Sequence, residues 1–463
     1  MISYAVLAPH PPLIVPAIGG DRLADVNLTV EGMRQMAAQV VASNPETLVF
    51  LTPHGNVFSD CLSALAAPEL EGDFAAFGNS LGLACANDLE LLAELKGAAD
   101  LQGINFVALD QDKLRQYRLN SKLDHGILVP LYYLKAAGLP ELPVLAVSIG
   151  YLSNLELYTF GSLIKNAADK LGRKIAVIAS GDMSHRLSND GPYEYHPDGP
   201  RFDARVKDLI EKGDISGIYS MPEKLRENAG ECGYRSIIIM LGALDAWTFE
   251  SRIFNYEGPF GVGYLIAGLQ PLKPGASFLE QLQQAKMKNI REKREHESLP
   301  VRWARMNLEA HIQGQAAPPI PEEMKELCQT QAGAFVSLKK HGQLRGCIGT
   351  IMPAYRDLAE EIASNALAAG TNDPRFAALE AYELDDLVYS VDILGQAESC
   401  GLEDLDPRKY GVIVSSGGKR GLLLPDLEGV DTVEEQLAIA KQKAGIDLGE
   451  KCSIMRFEVK RFK

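Results

Sequence analysis

The chain has 463 residues, of which 46% are hydrophobic and 23% are charged, and its formal net charge is -15 at pH 7. This length exceeds what one ordinary hydrophobic core can hold, so we expect two or three domains. The negative charge argues against a nucleic-acid partner or an anionic membrane surface, because both require clustered positive charge. Without a long apolar segment or a signal-type N-terminus, the sequence predicts a cytoplasmic protein.

The cysteines point to the same compartment. Seven are present, an odd number without paired spacing, which is typical of a reducing environment rather than of a disulfide framework. The sequence has no Cys-x-x-Cys motif. We therefore expect neither a zinc ribbon nor an iron–sulfur cluster.

Predicted strands alternate with predicted helices up to about residue 270, which favours a layered α/β domain with a mainly buried sheet. Strands are predicted before His10 and His54 and at 142–149, 175–179, 252–256 and 263–269. Helices are predicted at 25–42, 87–96, 155–171, 201–212 and 236–244, and another begins near Asp124. Asn87 is the predicted cap of its helix, and residues 60–78 are ambiguous.

Three of these strands each lead to a histidine. Pro9-His10-Pro-Pro follows the first strand, Pro53-His54-Gly follows the second, and Ser180-Gly-Asp-Met-Ser-His185 follows a third. In open α/β sheets, sites form where the carboxyl ends of the strands meet. We therefore expect His10, His54 and His185 to share one edge of the sheet.

A set of two histidines and one carboxylate is the facial triad of non-haem iron(II) enzymes. His10 and His54 are the candidate ligands, with Glu231 as the third because it lies between glycines before a very apolar helix. Alternatively, Glu231 only meets the positive end of that helix. His185 is the candidate acid/base, and His125 either contacts the substrate or caps its helix.

These motifs, with Asp124-His125-Gly and Gly230-Glu231-Cys-Gly, resemble the class III extradiol ring-cleavage dioxygenases of the LigB superfamily. The resemblance covers about residues 1–270. It implies that His10, His54 and Glu231 bind iron(II), that His185 is the acid/base and that His125 lines the site of a small aromatic substrate. The site is also similar to that of Memo-type proteins, in which a cysteine replaces the carboxylate, and Cys232 directly follows Glu231.

After a break at 271–276, the composition changes to that of a smaller α+β domain. The sequence predicts a charged linker helix, a helix at 301–312 and a hairpin around His341-Gly342. Further helices are predicted at 355–369 and 432–444, with strands at 387–394, 411–415 and 421–424. We place the boundaries at 1–272 for the first domain, 273–296 for the linker helix and 297–463 for the second domain.

The second domain resembles the AMMECR family through Leu344-Arg-Gly-Cys-Ile-Gly, Asp373-Pro-Arg-Phe and Gly421-Leu-Leu-Leu-Pro-Asp. Within it, Cys347 is either a thiol activated by Arg345 or a packed core residue. The fused pair resembles AmmeMemoRadiSam system proteins, which implies a radical-SAM partner. Whether the chain forms a homo-oligomer is left open.

Three functions follow as alternatives. The first is an iron(II) extradiol dioxygenase that opens a catechol-type ring. The second is a Memo-like metal-binding component of a modification system without ring cleavage. The third is a zinc-dependent hydrolase, because zinc also accepts histidine and carboxylate ligands.

Overall fold

The computed structural model describes residues 1–340, 342–427 and 429–463. The chain forms two compact units, Met1–Ala285 and Lys286–Lys463. The division falls inside the helix Phe278–Glu295, which occupies most of the predicted linker. In the described part of the chain, no helix is both long enough and apolar enough to cross a membrane.

The first unit is built on a mixed sheet in the order β6-β3-β7-β2-β8-β1-β10-β9. Its strands are β1 (Ile2–Ala8), β2 (Thr47–Thr52), β3 (Leu62–Leu65), β6 (Phe106–Leu109), β7 (Val144–Ser148), β8 (Ile175–Ser180), β9 (Trp247–Glu257) and β10 (Tyr264–Pro274), while β4 (Glu69–Asp73) and β5 (Gly82–Ala86) form a separate hairpin. The central strands β7, β2, β8 and β1 are parallel, and β10 and β9 close the sheet in antiparallel pairs. Every residue of the central strands is buried, as expected for a parallel sheet covered on both faces.

Helices cover both faces of this sheet and enclose two hydrophobic cores. They are α1 (Pro16–Gly19), α2 (Asn27–Ala42), α3 (Leu89–Leu101), α4 (Gln111–Gln116), α5 (His125–Ala136), α6 (Asn154–Lys170), α7 (Asp198–Lys212), α8 (Ile215–Tyr219), α9 (Glu223–Ala229), α10 (Tyr234–Ala243) and α11 (Phe278–Glu295). Helices α3, α6 and α10 contribute to one core, whereas α2 and α5 contribute to the other. The predicted layered α/β architecture is confirmed.

One local prediction for this unit needs correction. The cap of helix α3 lies one residue later than predicted, at Asp88, whose side chain accepts the Leu91 N–H. Asn87 instead donates its amide to the carbonyls of Leu65 and Ala67. The ambiguous stretch 60–78 contains β3 and β4, which are too short to show a clear alternation.

The second unit contains an antiparallel sheet in the order β12-β11-β13-β17-β15-β16. Its strands are β11 (Ala334–Lys340), β12 (Gln343–Gly349), β13 (Leu387–Leu394), β14 (Glu398–Ser399), β15 (Tyr410–Ser416), β16 (Lys419–Leu423) and β17 (Ser453–Phe462), where β14 pairs with β17. The hairpin β11–β12 lies where the sequence predicted one, although His341 is outside the described residues. Its helices are α12 (Leu299–Ile312), α13 (Leu358–Thr371) and α14 (Val433–Ala444). This arrangement confirms the predicted α+β class.

Candidate metal centre

The three histidines that follow strands do meet at one edge of the sheet. Strands β2, β8 and β1 are parallel neighbours, so their carboxyl ends share an edge. His10, His54 and His185 follow these three strands within a few residues. The ring centroids of His10 and His54 are 4.6 Å apart. The site therefore lies where an open α/β sheet is expected to bind its ligand.

His10 is held in one tautomer by its neighbours. The Ser180 hydroxyl donates to the Gly126 carbonyl at 2.5 Å, so its oxygen can only accept from His10 Nδ1, which lies 2.8 Å away. The proton of the imidazole is therefore on Nδ1, and Nε2 carries the free lone pair. The backbone N–H of His10 donates a hydrogen bond to Asp182 Oδ1 at 3.0 Å, which fixes the loop that carries His10.

A close approach of two glycines brings Cys232 to the same place. A Cβ atom on residue 181 would lie 2.1 Å from the Cα atom of Gly233, so position 181 requires glycine. The backbone N–H groups of Cys232 and Gly233 donate to the Asp182 carbonyl at 3.3 and 3.0 Å. In return, the N–H of Asp182 donates to Cys232 Sγ at 3.2 Å. The thiol is thereby fixed beside His10.

The resulting donor group has the spacing of a metal site. His10 Nε2 lies 2.9 Å from His54 Nε2 and 3.7 Å from Cys232 Sγ. One ligand atom from each of His10, His54 and Cys232 lies within 4.8 Å of the other two. Nitrogens at about 2.0–2.1 Å and a thiolate at about 2.3 Å from one ion would be about 3–4 Å apart. These three residues therefore fit a metal ion.

Glu231, the expected third ligand, is not part of this group. Its carboxylate accepts the backbone N–H of Tyr234 at 2.6 Å, at the start of α10. Burial raises the pKa of Glu231, and this bond together with the charges of Arg235 and Arg226 opposes the rise. The carboxylate thus meets the positive end of a helix, which was the alternative considered for it.

His125 and His185 lie around the donor group. The His125 ring stacks on that of His54 with centroids 4.3 Å apart, and the side chain of Asp124 caps the helix that His125 begins. The ring of His185 is parallel to that of Tyr193 at 6.0 Å. Tyr193 and Phe77, whose ring lies 5.3 Å from that of His125, are both exposed. The site therefore has an aromatic rim open to solvent.

Burial keeps two of the donors, His10 and Cys232, neutral in the absence of a metal. It lowers the pKa of His10 well below the usual range, and the neighbouring His54 and His185 lower it further. Burial also raises the pKa of the Cys232 thiol well above its usual range, with a further rise from the charge of Asp182. A bound cation would reverse the second effect and favour the thiolate, because metal binding displaces the thiol proton.

Two supporting residues were not predicted. Ser180 sets the tautomer of His10, and Asp182 holds the backbone of both His10 and Cys232. Burial raises the pKa of Asp182 to about 6, although the N–H of His10 lowers it. The Ser180-Gly-Asp run was visible in the sequence, but its contacts depend on residues about 50 and 170 positions away.

Two family models match this chain. Residues 4–267 match the family model described as the catalytic LigB subunit of aromatic ring-opening dioxygenase. The chain belongs to this family. Residues 301–462 match the AMMECR1 model, so this member carries a LigB domain fused to a C-terminal AMMECR1 domain.

One relative matches this chain across both domains. Protein CA_C1420 of Clostridium acetobutylicum is 40% identical over 463 residues, covering 99% of this chain and 98% of that protein. A Thermotoga maritima protein is 52% identical over 167 residues, 35% of this chain and 96% of its own length. Among solved structures, Pyrococcus horikoshii PH0010 covers 35% of this chain and 88% of its own at 29% identity, with a TM-score of 0.33. Escherichia coli JW3007 covers 57% of this chain and 98% of its own at 15% identity, with a TM-score of 0.38.

Proposed function

We propose that the N-terminal unit is an iron(II)-dependent dioxygenase that opens a catechol-type aromatic ring with dioxygen. The observation that carries this proposal is the meeting of His10, His54 and His185 at one sheet edge in a chain of the ring-opening dioxygenase family. The substrate is a small aromatic diol, and the exposed aromatic rim gives it surfaces on which to stack.

His10, His54 and Cys232 would hold the metal. Imidazole ligands suit iron and zinc, and a thiolate also accepts both, so iron(II) is proposed with zinc as the alternative. When bound, iron(II) supplies a Lewis acid and a template that orients the diol and dioxygen together. Three protein ligands leave coordination positions open for both.

The protein residues supply the proton transfer and the orientation. Burial lowers the pKa of His185, while the nearby carboxylate of Asp182 opposes this shift, so the imidazole is neutral near pH 7 and can accept a phenolic proton. Burial lowers the pKa of His125 to about 3, with smaller contributions from His10 and His54. A neutral His125 can donate a hydrogen bond to a substrate oxygen without attracting a counter-ion.

Oxygen consumption tests the proposal. The full chain is purified without oxygen, loaded with iron(II) and mixed with a panel of catechols while oxygen uptake and a ring-opened yellow product are followed. We expect uptake from the unaltered chain and a loss of at least about 100-fold in His185→Gln, in line with the usual contribution of a general acid/base. His196→Gln is the matched control, because His196 lies in a loop and accepts the Asp198 N–H.

Metal analysis of the same samples makes the result decisive. The His185→Gln variant should retain its iron, since His185 is not in the donor group. Stoichiometric iron without oxygen uptake on any catechol would overturn the proposal. Uptake that persists in His185→Gln would overturn the acid/base role alone.

One observation favours a second function, a metal-binding component of a modification system that does not itself cleave rings. The donor group contains the thiol of Cys232 rather than a carboxylate. A thiolate favours softer metals and changes the redox behaviour of iron. This function predicts tight metal binding, no oxygen uptake, and a change of activity only when a radical-SAM partner protein is added.

A further inference from the structure

The C-terminal unit contains a cavity of about 810 Å³ that the proposed function does not use. Strands β12 and β16 stand at opposite ends of the strand order, yet residues from both line the cavity. The sheet must therefore curve around the space between them. A cavity of this size is within the range of small-molecule sites.

The wall of the cavity is strongly basic in a chain whose net charge is -15. Among the described lining residues, the acidic side chains are Asp392 and Asp426. The basic ones are Lys339, Arg375, Arg420, Lys443, Arg461 and Lys463. An excess of cations around one concave surface raises the local concentration of anions.

Four of these six cations have no ionic partner among the described residues. Arg375 is paired with Asp373 at 2.7 Å, and Arg461 is paired with Asp392 at 2.8 Å. For the described residues, no ion pair or side-chain hydrogen bond is found for the other four, Lys339, Arg420, Lys443 and Lys463. Their charges are therefore available to a ligand.

The rest of the wall is mainly apolar, with the hydroxyls of Ser337 and Ser390 and one thiol. The apolar residues are Phe335, Leu344, Ile351, Leu422, Leu423, Leu424 and Leu427. Cys347 Sγ accepts a hydrogen bond from the Ser337 hydroxyl at 3.2 Å. The Arg375 guanidinium donates a hydrogen bond to the Cys347 carbonyl at 3.1 Å. Arg345, expected to activate this thiol, is instead paired with Glu383 at 2.9 Å. The pairing of β11 with β12 shifts register at Arg345, and such a bulge turns a side chain away from the face that its position in a regular strand would give it.

We infer that this cavity binds an anionic small molecule with an apolar body. Its acid group, a carboxylate or a phosphate, faces the four unpaired cations, and its body packs on the leucine-rich wall beside Cys347. The inference is independent of the metal centre, since it concerns a separate unit and a separate set of residues.

Alkylation of Cys347 tests the charge of the cavity. Iodoacetate carries a negative charge and iodoacetamide does not. Both alkylate the sulfur through their CH2 carbon, with release of iodide and of the thiol proton. At each cysteine, peptide mass spectrometry of the full chain gives the rate with iodoacetate divided by the rate with iodoacetamide. This ratio is compared between Cys347 and Cys328, which is exposed and serves as the internal reference. We expect the ratio to be about tenfold higher at Cys347.

A double variant identifies the source of this preference. Arg420→Gln/Lys443→Gln should reduce the ratio at Cys347 toward that of Cys328. Lys288→Gln/Arg408→Gln should leave it unchanged, because both residues are exposed and outside the cavity wall. Raising NaCl from about 20 mM to about 1 M should reduce the ratio in the unaltered chain, so the test does not depend on how the variant folds. Equal ratios at the two cysteines, or a ratio insensitive to salt, would overturn the inference.

Protection experiments then separate the two kinds of acid group. Decanoate carries a carboxylate on an apolar chain, and inorganic pyrophosphate carries charge alone. If decanoate slows the reaction of Cys347 with iodoacetamide at lower concentration than pyrophosphate does, the apolar wall contributes to binding. If only pyrophosphate protects, the ligand is a phosphate without an apolar body, and that half of the inference fails.

Discussion

The candidate sites of the two units suit ligands of opposite charge, and they are built from different kinds of side chain. The N-terminal unit gathers His10, His54 and Cys232, and burial keeps His10, which is only 2% exposed, and Cys232 neutral when no metal is bound. The C-terminal unit instead arranges basic lysine and arginine side chains around an open cavity. One site would bind a cation by coordination, and the other would bind an anion by charge.

This difference teaches where each kind of site can be built. Donors with shifted pKa values need a dry, tightly hydrogen-bonded frame, which the carboxyl edge of a buried parallel sheet provides. Unpaired ammonium and guanidinium groups cannot be buried without a partner, so they need a solvated wall. The following predictions test these requirements, beginning with the largest expected effect.

Removing the thiol should break the metal site. We expect Cys232→Ala to lower iron affinity by more than about 100-fold, beyond the roughly 10–100-fold cost of losing a residue that only supports a ligand. Glu231→Gln is the matched control, since its side-chain oxygen can still accept the Tyr234 N–H. Metal content after dialysis is the measurement. Iron lost from Glu231→Gln but kept by Cys232→Ala would reverse the assignment.

Removing the group that sets the His10 tautomer should weaken the site without abolishing it. Ser180→Ala deletes the oxygen that accepts from His10 Nδ1, so the ring can turn or change tautomer. We expect iron affinity to fall by about 10–100-fold, measured by competition with a chelator. Ser162→Ala removes another nearly buried hydroxyl, in helix α6, and should leave affinity unchanged. Equal effects of the two variants would point to a general loss of stability.

A buried ion pair in the N-terminal unit should affect stability in a pH-dependent way. Asp88 is 3% exposed, is paired with Arg173 and accepts the Thr47 hydroxyl at 2.7 Å. Burial alone would raise the pKa of Asp88, but the bonds from Arg173 and Thr47 outweigh it and hold the pKa below its usual range. We expect Asp88→Asn to lower the free energy of unfolding by about 2 kcal/mol near pH 7.

The sign of the pH dependence follows from the lowered pKa. The stabilisation by Asp88 is fully present above the unfolded-state pKa of about 4 and is lost as the pH falls through the folded-state value. The difference between the unaltered chain and Asp88→Asn should therefore shrink below about pH 4 in denaturant titrations. Asp110→Asn, at an exposed helix cap, should cost much less at any pH. A difference that grows in acid would contradict the assignment.

The smallest effect concerns a feature that the two units share. Ser153 caps α6 and Thr432 caps α14, each in a complete capping box. If the units differ in their sites but not in how their helices are stabilised, Ser153→Ala and Thr432→Ala should each cost about 1 kcal/mol in denaturant unfolding. A severalfold difference between them would show that the contrast extends beyond the sites.

Much of this architecture could be predicted from local patterns. The strands that lead to His10, His54 and His185 are continuous apolar runs, so their burial and their order along the chain were clear. The helix that Thr432 caps and Gly445 ends was equally clear, because caps have recognisable residues. Strands as short as β3 and β4, with four and five residues, could not be predicted, and neither could the choice of Asp88 over the adjacent Asn87 as a cap.

The sequence by itself determined that histidines would meet at a sheet edge, since parallel neighbours end together. Tertiary structure alone decided that Cys232, and not the adjacent Glu231, faces them. That choice depends on the contact of Gly181 with Gly233, which aims the thiol at His10 while the carboxylate meets a helix end. The basic cavity was decided in the same way, because its cations lie far apart in the chain and only the curvature of the sheet gathers them.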